Sequence, residues 1–224
     1  MFKANRTAGL ALRILPPERY CAFLIDLGNY GRNNITPKLI FEELRKTPSS
    51  DFTFTHYHWR RSGNFVFQVY SPTPASVIEA RISNAINRVS KVKVNRSFGS
   101  IFRDFTTLQA LLHYAMNITG VAPGSSDIVK NGKPVKVAAV FVESNGNMKV
   151  PWPSALDTRV EVLGMAGEDP TSLVALYQRP REGGDFGYVS NAVRAFFRRS
   201  NLTVTSTARA ISVIDDIAAE RLKP

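Results

Sequence analysis

Phe52-Thr53-Phe54-Thr55-His56-Tyr57-His58-Trp59-Arg60-Arg61-Ser62-Gly63-Asn64-Phe65-Val66-Phe67-Gln68-Val69-Tyr70 is the stretch on which the architecture of this chain turns. Aromatic and β-branched residues dominate up to Trp59 and again from Phe65 to Tyr70, in the period-two pattern of a half-buried strand. Between the two runs, Arg60-Arg61-Ser62-Gly63-Asn64 holds the Gly and Asn that a tight turn uses. The segment therefore predicts an antiparallel hairpin. Strict alternation puts Tyr57, Trp59, Val66, Gln68 and Tyr70 on one sheet face, opposite Phe65 and Phe67. The same alternation gives His56 and His58 the parity of Phe52 and Phe54.

Upstream, Thr36-Pro37 reads as an N-cap and first helical position, ahead of Leu39, Ile40, Phe41 and Leu44 at helical spacing. Before that helix, Tyr20 to Leu27 is an apolar run ending at Gly28, short enough for a buried strand. Downstream, Ser71-Pro72-Thr73-Pro74 opens a second helix with Val77, Ile78, Ile82, Ala85, Ile86 and Val89 along one face. Lys91 to Asn95 then alternates as an edge strand. The order β-α-β-β-α-β within 100 residues is the ferredoxin-like plan.

The second half repeats the theme less regularly. Phe105 to Met116 is a helix, residues 121–132 read as loop, and Val135 to Glu143 is a strong strand followed by an Asn145-Gly146 hairpin signal. Arg159 to Leu163 and Leu173 to Tyr177 are further strands, Tyr188 to Arg199 a helix, Asn201 to Thr205 a last strand and Ala208 to Leu222 a last helix. The expected class is α+β, with two ferredoxin-like subdomains packed together. An N-terminal arm occupies 1–19, frayed up to Pro16-Pro17; the subdomains span 20–100 and 101–224.

Composition limits the chemistry. A length of 224 residues, 44% hydrophobic and 21% charged, is that of a folded chain with a sizeable core. The single cysteine, Cys21, excludes an internal disulfide framework and any multi-cysteine zinc site. Only three histidines are present, and His56 and His58, two apart on one strand, have no third Cys or His nearby in sequence. No metal and no cofactor is expected. The apolar run Ala8 to Leu15 is short and interrupted by Arg13, so neither a membrane span nor a secretory leader is expected, and the compartment read from this is the cytoplasm.

The formal net charge is +11, and residues 1–100 hold 15 Lys and Arg against 6 Asp and Glu. That basic half fits either a solvated face or a surface that meets an acidic partner.

Three stretches carry a resemblance to a known family. Leu24-Ile25-Asp26-Leu27-Gly28 resembles the Ile-Asn-Val-Gly-Gly opening of the bacterial family catalogued as domain of unknown function 1697. Arg61-Ser62-Gly63-Asn64-Phe65-Val66-Phe67 resembles its Gln-Ser-Gly-Asn-Val-Val-Phe hairpin. Ser190-Asn191-Ala192, followed by Thr205-Ser206-Thr207, resembles its Thr-Asn-Ala helix and its Thr-Thr-Arg-Asn-Trp corner. Asp26 stands where the family has Asn, Asn29 where it has its second Gly, and the Arg-Asn-Trp run is absent, with Thr207 and Ala208 in its place. The resemblance implies two ferredoxin-like subdomains and supplies no activity.

Several constellations can carry function. Asp26 and Gly28, ahead of Arg32, fit either a small anion-binding turn before a helix or an Asp that bonds within its own turn. Arg60, Arg61, Ser62 and Asn64, with Tyr57, Trp59 and Tyr70 on the adjoining face, fit base stacking with phosphate contacts, or packing between the subdomains. Arg194 and Arg198 lie one turn apart near a helix C-terminus, where they complement its dipole or bind an anion. Asp215, Asp216 and Glu220 read as solvated on the outer face of the last helix. The leading expectation is a non-catalytic binding protein for an anionic partner, single-stranded nucleic acid being one such partner. The alternatives are an enzyme or sensor for a phosphorylated small molecule, and an interaction protein that forms a homodimer.

Overall fold

The computed structural model describes residues 13–25, 35–58, 63–90, 99–144, 152–165, 171–178, 186–200 and 202–223. The chain divides into two compact units, Met1–Phe105 with Leu222–Pro224, and Thr106–Arg221. Helices and antiparallel sheets alternate in both, so the class is mixed α+β.

The first unit runs β1 (Ile14–Leu15), β2 (Arg19–Leu24), α1 (Pro37–Arg45), β3 (Phe52–His58), β4 (Asn64–Val69), β5 (Thr73–Pro74), α2 (Ala75–Val89) and β6 (Ser100–Asp104). Its main sheet has the order β3-β4-β2-β6. Thr36 caps α1 as its sequence predicts: Oγ1 accepts the Leu39 N–H at 3.4 Å, and Pro37 occupies the first turn. Ile40, Phe41 and Leu44 of α1 and Ile78, Ile82, Ala85 and Ile86 of α2 bury against Ala22, Phe65, Phe67 and Phe102 of the sheet. Each fully buried aliphatic or phenyl side chain here contributes about 2 kcal/mol from area removed from water.

Three details depart from the sequence reading. Ile14 and Leu15 pair with Pro74 and Thr73, and Leu15 is buried, so the arm is tied down from Arg13 onward rather than frayed to Pro16-Pro17. The fourth strand of this unit is β6, at Ser100–Asp104; the run Lys91 to Asn95 lies outside the described residues. The hairpin also carries a bulge. Phe54 pairs with Phe67 but His56 with Val66, which leaves Thr55 as an extra residue and reverses the parity beyond it. Tyr57 therefore joins the core beneath the helices, its ring 5.1 Å from that of Phe41, and His56 and His58 move to the opposite face. That opposite face is not open: His58, Cys21, Phe23 and Ile101 are all 0% exposed.

The edge of β3 is met by the end of the chain. Tyr57 and Lys223 exchange two backbone hydrogen bonds, of 2.9 and 3.1 Å. This covers part of an edge that would otherwise present unpaired donors and acceptors.

The second unit contains most of α3 (Phe105–Thr119), then β7 (Asp127–Lys130), β8 (Lys133–Ser144), β9 (Ala155–Asp157), β10 (Val160–Met165), β11 (Ser172–Tyr177), α4 (Gly187–Arg199), β12 (Val204–Ala210) and α5 (Ile211–Ala218). Its sheet has the order β12-β8-β11-β10-β9, with β7 paired to β8. Val189, Val193 and Phe197 of α4 pack on Val140, Val142, Leu173, Ala175 and Tyr177. Trp152 closes that core, edge-on to Phe197 at 4.9 Å.

Here too the boundaries shift. The segment read as loop folds as β7, joined to β8 by Asn131-Gly132, both at positive φ (51° and 71°) as a two-residue hairpin turn requires. The last strand begins at Val204 and continues to Ala210, because seven residues pair with β8 from Ser144 to Ala138; α5 is correspondingly shorter than Ala208 to Leu222. Asp215 and Asp216 are buried, not solvated. The Asp215 carboxylate accepts the Gly124 N–H at 2.6 Å, and Arg221 bridges both aspartates, with Nε 3.0 Å from Asp216. The Asn145-Gly146 signal lies outside the described residues.

Candidate functional site

Helices α1 and α2 are neighbours on one side of the first sheet, and amphipathicity sends their charges outward. Lys38, Arg45, the cap residue Lys46, Arg81 and Arg88 belong to this layer, opposed by Glu42 and Glu43. Glu79, the remaining acid of the two helices, is turned inward and accepts the Ser100 N–H at 3.1 Å. Cations are thus in excess on the outer side.

Glu43 organises part of that layer. Its carboxylate lies 2.6 Å from Lys46 and 3.2 Å from Arg88, tying α1 to α2. Hydrogen bonds from Lys46 and then Arg88 hold its pKa below the usual carboxylate range. Arg81 donates to the Leu44 carbonyl at 3.1 Å, where the C-terminal end of α1 favours a cation. Burial, followed by the like charge of Arg88, lowers the Arg81 guanidinium from its ordinary value. Arg45 sits 5.7 Å from the Phe41 ring centroid, and Lys38 lies 3.8 Å from Glu42 with both side chains well exposed. Such exposed pairs are weak and open to exchange with an external anion.

Of the sequence-derived candidates, Asp26, Gly28, Arg32, Trp59, Arg60, Arg61 and Ser62 lie outside the described residues. Asn64 opens β4 opposite His58 and is 0% exposed, so it belongs to the sheet interior. Tyr57 is a core residue for the reason given by the bulge. Tyr70 is 56% exposed at the end of β4, its N–H on the Asp51 carbonyl. The expected platform of Tyr57 with Tyr70 therefore does not assemble. Arg194 is held to Asn191 by a 2.6 Å hydrogen bond, and Arg198 is exposed in the last turn of α4 beside Arg199.

The sequence reading missed the pairing of α1 with α2, although both apolar faces were legible. Their polar faces, read together, would have set Lys46 and Arg88 around Glu43, with Arg81 beside them. Among the described residues no group of three or more His, Cys, Asp or Glu is placed to hold a metal ion, and no helix is long and apolar enough to cross a membrane.

No protein-family model matches the chain, and neither a curated protein nor a solved structure matches it.

Proposed function

We propose that this is a binding protein for an anionic partner, single-stranded nucleic acid foremost, and that the outer side of α1 and α2 is the surface that meets it. The observation carrying this reading is the excess of Lys38, Arg45, Lys46, Arg81 and Arg88 over Glu42 and Glu43 on one helical layer. Recognition is by charge along a backbone rather than by stacked bases, since Tyr57 is in the core. Arg60 and Arg61, outside the described residues, are included from the sequence as further phosphate contacts.

The proposal includes the architecture. Each unit is taken as a ferredoxin-like unit, as the resemblance to the domain of unknown function 1697 family implies. Two strand orders support it: β6-β2-β4-β3 and β12-β8-β11-β10 both flank the first strand with the last and the third. In the second unit β9 falls between β8 and β10 in the chain, at the place of the first crossover helix. The proposed compartment is the cytoplasm.

The test is fluorescence anisotropy of a labelled twelve-residue oligothymidine with the full chain, its Arg45→Ala, Arg88→Ala double variant and its Arg60→Ala, Arg61→Ala double variant. Each double variant is expected to weaken binding about tenfold, and Arg198→Ala to leave it unchanged. Equal binding by all four proteins would overturn the assignment to the first unit.

A further inference from the structure

One end of the second sheet forms a groove of about 540 Å³, within the size range of small-molecule sites. Its floor includes Val135 and Leu176, and Lys130, Lys133 and Arg159, against Asp157 and Glu161, contribute the charge around it. The sheet order explains how these meet. β7 and β11 lie on opposite sides of β8, since Lys136 pairs with both Asp127 and Tyr177, and β10 lies beyond β11.

Two features of this groove ask for an anion. Lys130 and Lys133 are directly opposed across the hairpin, flanking the Asn131-Gly132 turn, and like charges in that position repel. A single carboxylate answers them. Lys130 Nζ reaches Glu161, 2.6 Å from each of its oxygens, from a strand three inter-strand spacings away. At ~4.8 Å per spacing the two strands are roughly 14 Å apart in a flat sheet, so the pair arches across the groove. Both side chains are about two-fifths exposed, and pairs of that kind are readily displaced. Among the described residues, Lys133 and Arg159 have no ion-pair partner.

The rim is also fixed in place. Asp157 Oδ1 accepts the N–H groups of Arg159 and Val160 at 2.7 and 2.9 Å, and Oδ2 accepts the Tyr188 hydroxyl at 2.9 Å. The hydrogen bond to Asp157, with burial adding, raises the pKa of the Tyr188 phenol above its ordinary value, so it stays a donor. Asp157 is thereby occupied by its own turn, and the Arg159 N–H is held there. Ser154, Thr158 and Gln178 also line the groove and supply hydroxyl and amide partners.

We propose that this groove binds a small phosphorylated polyol. Its phosphate replaces the Glu161 carboxylate on Lys130 and adds the charge of Lys133, while its hydroxyls meet Ser154, Thr158 and Gln178. The site is separate from the basic helical layer and stands or falls independently of it.

Isothermal titration calorimetry of the full chain with glucose 6-phosphate, glucose and inorganic phosphate tests this. Glucose 6-phosphate is expected to bind and glucose not to; Lys133→Ala weakens binding about tenfold. Glu161→Gln frees Lys130 and tightens binding severalfold. Glu42→Gln adds the same charge on the other unit and leaves the affinity unchanged. No binding of glucose 6-phosphate, an unaffected Lys133→Ala, or equal tightening by Glu42→Gln and Glu161→Gln would each overturn the site. Inorganic phosphate binding as tightly as glucose 6-phosphate would overturn the assignment to a polyol. Oligonucleotide binding by Lys133→Ala is expected to match the unaltered chain, which keeps the two proposals distinguishable.

Discussion

Gly132 is held at φ +71°, in the left-handed region, with open space where a Cβ would lie. The cost of a side chain there is therefore conformational and not steric. Gly132→Ala should lower unfolding free energy by about 1 kcal/mol, measured by urea denaturation. Gly164 differs. It sits at φ +148° within a bulge of β10, and a Cβ would collide with the Tyr114 hydroxyl. Gly164→Ala should cost about 2–3 kcal/mol by overpacking. Tyr114→Phe removes the colliding atom and gives up only a 3.4 Å hydrogen bond to the Leu163 carbonyl, so it should recover part of that loss. Absence of any recovery in the double variant would show that backbone strain alone sets the cost. Tyr20 ties stability to alkaline pH. Burial, then the charges of Glu18 and Asp104, push its phenol up to about 12 from the ordinary 10.0, with its hydroxyl on the Pro16 carbonyl. A raised value means that the folded state keeps the proton longer than the unfolded chain. Its contribution is thus fully present below pH 10 and is lost as pH rises toward 12. Ultraviolet titration at alkaline pH should show one phenol ionising last, and Tyr20→Phe should remove it.

At the scale of elements, Thr36 is the clearest local signal. Thr36→Ala should destabilise α1 by about 0.5–1 kcal/mol, read as a fall in thermal midpoint. That helix, α2, the hairpin and the strands β8, β10 and β11 were all legible, because capping, helical spacing and alternation agree with the burial they finally adopt. Failures have identifiable causes. The Thr55 bulge leaves no mark in residue type, yet it reverses the faces of Tyr57, His56 and His58 and so dismantled a candidate site. The stretch Ala208 to Ala210 suits a helix by propensity, but its ladder to β8 keeps it in a strand. Asn131-Gly132 was readable as a turn; β7 is only four residues of mixed polarity and gave no alternation to support it. Asp215 and Asp216 looked solvated because Gly124, whose N–H the Asp215 carboxylate accepts, lies far away in sequence and becomes a neighbour only through folding.

At the scale of the molecule, the basic surplus of the first 100 residues is partly located: Lys38, Arg45, Lys46, Arg81 and Arg88 share a helical layer held together by Glu43. The sequence revealed the surplus but attached it to a sheet face on which Cys21, Phe23, His58 and Ile101 are buried. Charge excess on an exposed layer has a thermodynamic signature that shape does not. A single-stranded oligonucleotide neutralised by about five such cations releases counterions, and its log affinity falls with log salt at a slope near −3.5. The measurement to make is the affinity of the full chain for oligothymidine, by anisotropy, from low to moderate sodium chloride. Binding at low salt is expected to weaken along that slope, which becomes shallower in the Arg45→Ala, Arg88→Ala variant. Binding that does not change with salt, or no binding at the lowest salt, would contradict it.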